Sequence, residues 1–183
     1  KKLSNDFLVL ENNKLRELIN ETVQSEDMYA KVLVDKDSPY LKSIILNKGS
    51  KNNVKIGMAI VDNSYLVGKI IEVNYTNSRA LLLSDLNSKI PVLLEPLDIH
   101  AVVSGTGKNH GVIEYTKDEY DQKIEGKEII VYTSGYGGLF KPGLPVGKMI
   151  AEDKIKKNVV NFFSDFRQLD YVKIVSYDIG SGN

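Results

Sequence analysis

Residues 66–86 read LVGKIIEVNYTNSRALLLSDL, and both ends of this stretch return later in the chain. Leu66-Val67-Gly68-Lys69-Ile70-Ile71 corresponds to Pro145-Val146-Gly147-Lys148-Met149-Ile150, 79 residues on. Leu82-Leu83-Ser84-Asp85-Leu86 corresponds to Phe162-Phe163-Ser164-Asp165-Phe166, 80 residues on. Val92 and Val172 keep the offset of 80. One match of this length can arise by chance. Two at nearly the same offset mark an internal repeat. The repeat predicts two related β-domains of about 70–80 residues each. Domains of that size bury too little surface alone, so they should pack together.

Working outward, the same kind of segment fills the chain from Tyr29 onward. AKVLVD (30–35), SIILN (43–47), MAIVD (58–62), LVGKIIEVN (66–74), RALLLSD (79–85) and IPVLLE (90–95) are short and rich in β-branched residues and Leu. HAVVSG (100–105), GVIEYT (111–116), KEIIVYTS (127–134), VGKMIAE (146–152), NVVNFF (158–163) and YVKIVSY (171–177) continue the pattern. Turn signals such as Asp37-Ser38-Pro39, Lys48-Gly49-Ser50, Asp62-Asn63-Ser64 and Asn77-Ser78 separate them. This spacing predicts barrels or sandwiches, not βαβ units. Open sheet edges would then be available for strand addition by a partner.

Residues 3–28 predict a helix, since they contain no Gly or Pro and many Leu, Glu and Asn. Leu8, Leu15, Leu18 and Ile19 share one face, with Glu11 and Thr22 interrupting it. The stripe fits two arrangements: packing on its own domain, or pairing as the end of a coiled coil. The expected division is a helix over 1–28, β-domains over 29–98 and 99–178, and a flexible tail over 179–183. Which barrel owns the last strand stays open.

Composition narrows the function classes. The 183 residues carry 24 basic and 24 acidic side chains, so the formal charge is zero. Residues 30–100 are net +2 and residues 1–29 are net −2, so no segment is strongly polarised. A dedicated nucleic-acid binder would need a basic surplus. The absence of Cys removes disulfide, thiolate and Cys–zinc chemistry, and only His100 and His110 offer imidazoles. No apolar run approaches the roughly 20 residues of a membrane-spanning helix. The chain opens on KKLSND without Met and reads as a fragment, which leaves room for an anchor or a signal upstream.

The search for reactive groups returns little. Ser134, in TSGYGGLFKPG, could be tried as a nucleophile with His100 or His110 and Asp118 or Asp121. Beyond Ser-Gly no nucleophile motif surrounds it. The glycines of this loop do not form a phosphate-binding G-x-x-x-x-G-K-[ST] sequence. The carboxylates Glu114, Asp118, Glu119, Asp121 and Glu125 read as a solvated acidic hairpin tip. No catalytic residue, cofactor or metal site is expected.

One stretch is specific. Thr133, Ser134, Gly135, Gly137, Gly138, Phe140, Gly143, Leu144, Val146 and Gly147 follow a strand in a fixed pattern, with Lys141 standing between Phe140 and Pro142. Together with ENNKLRELI (11–19), SKIPVLLE (88–95), VVSGTG (102–107) and VNFFSDFRQLDYVKIV (160–175), it resembles the MreC family of rod shape-determining proteins. The resemblance covers residues 11 to about 176. It implies two extracytoplasmic β-barrels of the chymotrypsin type that are not proteases. It also implies a coiled coil and one transmembrane helix upstream, at the outer face of a bacterial plasma membrane. The implied role is a dimerising, non-enzymatic scaffold of cell-wall elongation. The implied partners are a class B penicillin-binding transpeptidase, its glycosyltransferase, MreD and, indirectly, MreB. Under this reading Leu8, Leu15, Leu18 and Ile19 pair helices. Ser134, Gly135, Gly137, Gly138, Phe140, Pro142 and Gly143 form a loop that either docks partners or shapes the barrel. The alternative is a β-barrel hydrolase or cell-wall-binding module using the Ser134 loop.

Overall fold

The computed structural model describes residues 2–19, 23–24, 27–37, 41–116, 128–138, 140–150, 158–176 and 178–179. It opens with a helix, α1 (Lys2–Ile19), followed by strands β1 (Val23–Gln24), β2 (Asp27–Asp37), β3 (Lys42–Leu46), β4 (Ala59–Asp62), β5 (Tyr65–Val73) and β6 (Ser78–Leu82). The second half holds β7 (Lys89–Glu95), β8 (Ile99–Gly105), β9 (His110–Thr116), β10 (Glu128–Thr133), β11 (Pro145–Ile150), β12 (Val159–Phe162), β13 (Tyr171–Val175) and β14 (Asp178–Ile179). Each of the twelve segments read as strands contains one.

Two closed barrels of six antiparallel strands result. The first has the order β13-β2-β3-β6-β5-β4 and closes through β4–β13; the second has the order β7-β8-β9-β12-β11-β10 and closes through β7–β10. Closure leaves neither barrel the open edge that strand addition would need, which corrects that expectation. The two orders are the same topology. In that correspondence β5 matches β11, β6 matches β12 and β13 matches β7.

The repeat now has a physical meaning. Gly68 pairs with Leu82 in the first barrel, and Gly147 pairs with Phe162 in the second. A Cβ at Gly68 would collide with the carbonyl oxygen of Leu81, and one at Gly147 with that of Asn161. Beside each glycine an equivalent bond forms: Leu83 N–H donates to Val67 C=O at 3.0 Å, and Phe163 N–H donates to Val146 C=O at 3.2 Å. The Ser-Asp pairs that follow make equivalent turns. Asp85 Oδ1 accepts from Asn87 N–H at 2.8 Å, and Asp165 Oδ1 accepts from Arg167 N–H at 3.1 Å. These turns are the two crossovers, one leading to β7 and one to β13.

The strand memberships do not coincide with a division at 98/99. Lys89–Glu95 belongs to the second barrel, and Tyr171–Val175 returns to the first. The helix expected over 3–28 also ends earlier, at Ile19, and Val23–Gln24 pairs with Asp178–Ile179. The β-branched Val23 loses rotamer freedom in a helix, and long-range pairing overrides the helical composition around it. Ile179, placed in the expected tail, is therefore in a strand; residues 180–183 lie outside the described residues.

One continuous core runs through both barrels. Ile44, Leu46, Ile60 and Ile70 fill the first, and Ile90, Leu94, Ile129 and Met149 the second, all buried. Contacts cross between them where the repeats meet: Ser164 Oγ donates to Leu66 C=O at 3.1 Å, and Tyr65 packs on Phe163 at 5.0 Å between ring centres. Sharing a core supplies the burial that neither small domain achieves alone.

Candidate functional site

Two features stand apart from the barrel walls: the helix and the loop joining β10 to β11. Residues 5–13 of α1 are all exposed, and Phe7, Leu8, Val9 and Leu10 among them have 58–68% of their surface in solvent. Along this half the helix does not pack on its own barrels. The heptad template singled out Leu8 and passed over Phe7, Val9 and Leu10, although the run Phe7-Leu8-Val9-Leu10 is plain in the sequence. Leu15, Leu18 and Ile19 continue α1, and the arrangement of their side chains lies outside what is described. An isolated helix of this length is marginal in water. An apolar, uncovered surface on it is suited to another helix.

The loop is closed at its base by Thr133, which is buried. Its hydroxyl donates to Lys141 C=O at 2.7 Å and accepts from Leu144 N–H at 2.9 Å. Its backbone N–H donates to Leu144 C=O, and its C=O accepts from Gly143 N–H, both at 2.9 Å. Ser134 N–H reaches across to Pro91 C=O of β7 at 3.2 Å. Phe140 is buried and packs in the core. Gly135 takes a φ of +71°, with Pro142 against the side where a Cβ would stand. Gly137 and Gly143 also hold left-handed backbone, with φ of +80° and +84°. Glycine is the residue that adopts these angles at little cost.

The candidate residues thus divide by position. Thr133, Gly135, Phe140 and Pro142 build the base of the loop. Tyr136 is exposed at its outer side, its ring 6.2 Å from that of His100. Leu139 lies outside the described residues.

Ser134 Oγ accepts a hydrogen bond from Tyr136 N–H at 3.2 Å, a local turn contact. No hydrogen bond joins it to His100 or His110, while Asp118 and Asp121 lie outside the described residues. Of the acidic cluster, Glu114 meets Lys89 Nζ at 3.1 Å, and Asp118, Glu119, Asp121 and Glu125 lie outside the described residues. The Lys89 ammonium, hydrogen-bonded to the Glu114 carboxyl, holds it below the usual range. Asp165 is lowered likewise by the backbone and side chain of Arg167. Among the described residues no three His, Asp or Glu side chains converge as metal ligands. Nor is any described helix long and apolar enough to cross a membrane. What the described residues of the two features offer is exposed surface, apolar on the helix and glycine-shaped on the loop.

Comparison with known proteins agrees with this geometry. Residues 32–176 match the family described as rod shape-determining protein MreC, barrel core. The Cell shape-determining protein MreC of Haemophilus influenzae is 31% identical over 162 residues, covering 87% of this chain and 44% of that protein. The chain thus spans less than half of this relative's length. The solved MreC of Listeria monocytogenes superposes with a TM-score of 0.81 at 22% identity, covering all of this chain and 92% of that one. MreC from Helicobacter pylori, solved in complex with Penicillin-Binding Protein (PBP2), superposes with a TM-score of 0.61 at 15% identity, covering 86% of this chain and all of that one. The same barrel fold recurs in both, and the chain belongs to the MreC family of rod shape-determining proteins.

Proposed function

We propose that the chain is the docking body of a non-enzymatic scaffold for bacterial cell-wall elongation. It pairs with a second copy through α1 and holds peptidoglycan synthases against its barrels. The observation that carries this is the uncovered run Phe7-Leu8-Val9-Leu10 on a helix whose described side chains all face solvent. Such a helix gains burial from a partner helix, and a copy of itself supplies a matching apolar stripe. The Helicobacter pylori complex supports a class B penicillin-binding transpeptidase as the docked enzyme. Its glycosyltransferase, MreD and, indirectly, MreB follow as further partners from the family resemblance. The expected place is the extracytoplasmic face of the plasma membrane, with a transmembrane helix elsewhere in the whole protein as anchor. Ser134 serves the loop's shape, its hydroxyl being engaged with Tyr136 N–H.

Light scattering across a concentration series tests the pairing. Wild type should approach twice 20.4 kDa, and Leu8→Asp with Leu15→Asp should return it to the monomer. A monomer at every concentration overturns pairing through this helix. Surface binding of a purified class B transpeptidase tests the docking, and Ser134→Ala should leave it unchanged. Hydrolysis of peptide or glycan by the purified chain, abolished by Ser134→Ala, would overturn the scaffold reading.

A further inference from the structure

The first barrel carries a shallow cleft of about 250 Å³ that neither the helix nor the Thr133 loop uses. Three neighbouring strands and one turn build it. Lys173 of β13 lies opposite Tyr29 of β2 on one side and Val61 of β4 on the other. Directly opposed residues share a face, and so does Tyr171, two residues along the strand. Val61 is buried beneath. Asp62, Asn63 and Ser64, at the end of β4 and the turn into β5, supply a polar rim.

Three observations give this cleft a chemistry. First, Tyr29 and Tyr171 are 73% and 57% exposed, whereas the described Phe side chains of the barrels are buried or half-buried. Second, Asn63 and Ser64 both have left-handed backbone, with φ of +48° and +72°. They form the two-residue hairpin turn between β4 and β5, which takes left-handed backbone at both positions, and they place two hydrogen-bonding side chains at the rim. Third, the Asp62 carboxylate, Asn63 amide and Ser64 hydroxyl make no hydrogen bond with any described residue.

We infer that this cleft binds a neutral saccharide. The apolar C–H face of a pyranose stacks on a tyrosine ring, and its hydroxyls reach the polar rim. Charge favours a neutral ligand. The Lys173 ammonium is already paired with Asp27 at 3.4 Å, and the charges of Lys31, opposite Tyr171, and Asp62 at the margins offset one another. A carboxylate only accepts hydrogen bonds, so the ligand must bring donors, as sugar hydroxyls do. A proline-rich peptide is the competing occupant of the tyrosines, but each of its prolines withholds a backbone N–H, whereas a sugar ring brings several hydroxyl donors at once. The cleft is smaller than the roughly 300–1,000 Å³ of an enclosed small-molecule site, so it holds a ring or two of a longer chain.

Amide NMR of the chain, titrated with tetra-N-acetylchitotetraose and separately with cellotetraose, tests this. Either sugar should shift the signals of Tyr29, Asp62, Asn63, Ser64, Tyr171 and Lys173. Tyr171→Ala should weaken binding about tenfold, the size of one aromatic stacking contact. Tyr75→Ala, at an exposed tyrosine elsewhere, should leave it unchanged. The exposed side chains make misfolding a small risk, and the spectrum of each variant reports it directly. The inference is overturned when neither sugar shifts these amides at about 10 mM, where a ligand of millimolar Kd would be mostly bound. Shifts centred elsewhere also overturn it, as does a proline-rich peptide moving these amides when the sugars do not.

Discussion

Gly147→Ala tests the account of the repeat, because the structure gives glycine there a steric role and not a conformational one. Its φ is not in the left-handed region, so alanine has no intrinsic objection to the backbone. The added Cβ would collide with Asn161 C=O and come within 2.9 Å of Val160 Cγ1. The carbonyl is backbone in the neighbouring strand, so the two strands must separate. Their described ladder has only two register pairs, Gly147 with Phe162 and Lys148 with Asn161, so a small separation threatens all of it. We expect a loss of about 3 kcal/mol or more, at the upper end of overpacking penalties. Gly57→Ala is the counterpart. There φ is +94° and no atom lies within 4 Å of the new Cβ. Its cost is the left-handed backbone alone, about 1–2 kcal/mol, partly offset by a stiffer unfolded chain. With a urea slope of about 2 kcal/mol per molar, the midpoints should fall by about 1.5 M and about 0.5 M. Gly68→Ala, equivalent to Gly147→Ala in the first barrel, should resemble it. Equal small shifts for Gly147→Ala and Gly57→Ala would refute the close-approach explanation of the repeat.

Thr133→Val keeps the shape of the side chain but leaves Lys141 C=O and Leu144 N–H without the hydroxyl; we expect a loss of about 2–3 kcal/mol by urea denaturation. Thr133→Ser retains both bonds and should cost about 1 kcal/mol, so a variant pair of equal stability would deny the hydroxyl its role. The Glu114 pKa is depressed when folded, so its contribution is present above the ordinary glutamate range and lost as pH falls through the folded value. In Lys89→Met the Glu114 carboxyl should titrate closer to that ordinary range by NMR, and an unchanged titration would contradict the pairing. Ser78 Oγ is buried without a hydrogen-bond partner, so Ser78→Ala should leave stability unchanged or raise it by up to about 1 kcal/mol; a thermal midpoint several degrees lower would show that the hydroxyl is satisfied.

What was legible in the sequence follows from how local each signal is. Strands announce themselves within five to nine residues through β-branched content and turn punctuation, so all twelve long segments were readable. The loop glycines were readable because left-handed backbone leaves few alternatives to Gly at 135, 137 and 143. Strand ownership was not. Lys89–Glu95 and Tyr171–Val175 are assigned to a barrel by the partner they find, and nothing within either segment encodes that partner. The helix end at Ile19 was hidden because residues 20–28 keep a helix-compatible composition. The cleft was hidden for the same reason as strand ownership. Tyr29 and Tyr171 lie near opposite ends of the chain and meet only through the pairing of β2 with β13.

That pairing also explains why one repeated sequence yields two barrels of unequal dependence on the chain. The second barrel is built from one continuous run, Lys89 to Phe162. The first takes five strands from residues 27–82 and its sixth, β13, from beyond the whole second barrel. In effect a two-repeat ring has been cut between β13 and β2. The strand equivalent to β13, β7, lies at the start of its barrel sequence, whereas β13 lies at the end. Closing the first barrel therefore costs loop entropy over the full length of the second. A folded second barrel shortens that distance, since its ends at Lys89 and Phe162 lead into the two equivalent Ser-Asp turns. These turns sit where the barrels touch, and Ser164 reaches back to Leu66 from one of them. The turn motif thus recurs because each copy must release a strand from one barrel and deliver the next into the other. The same requirement accounts for the glycine before it: Gly68 and Gly147 let β6 and β12 lie close at the point where the chain leaves.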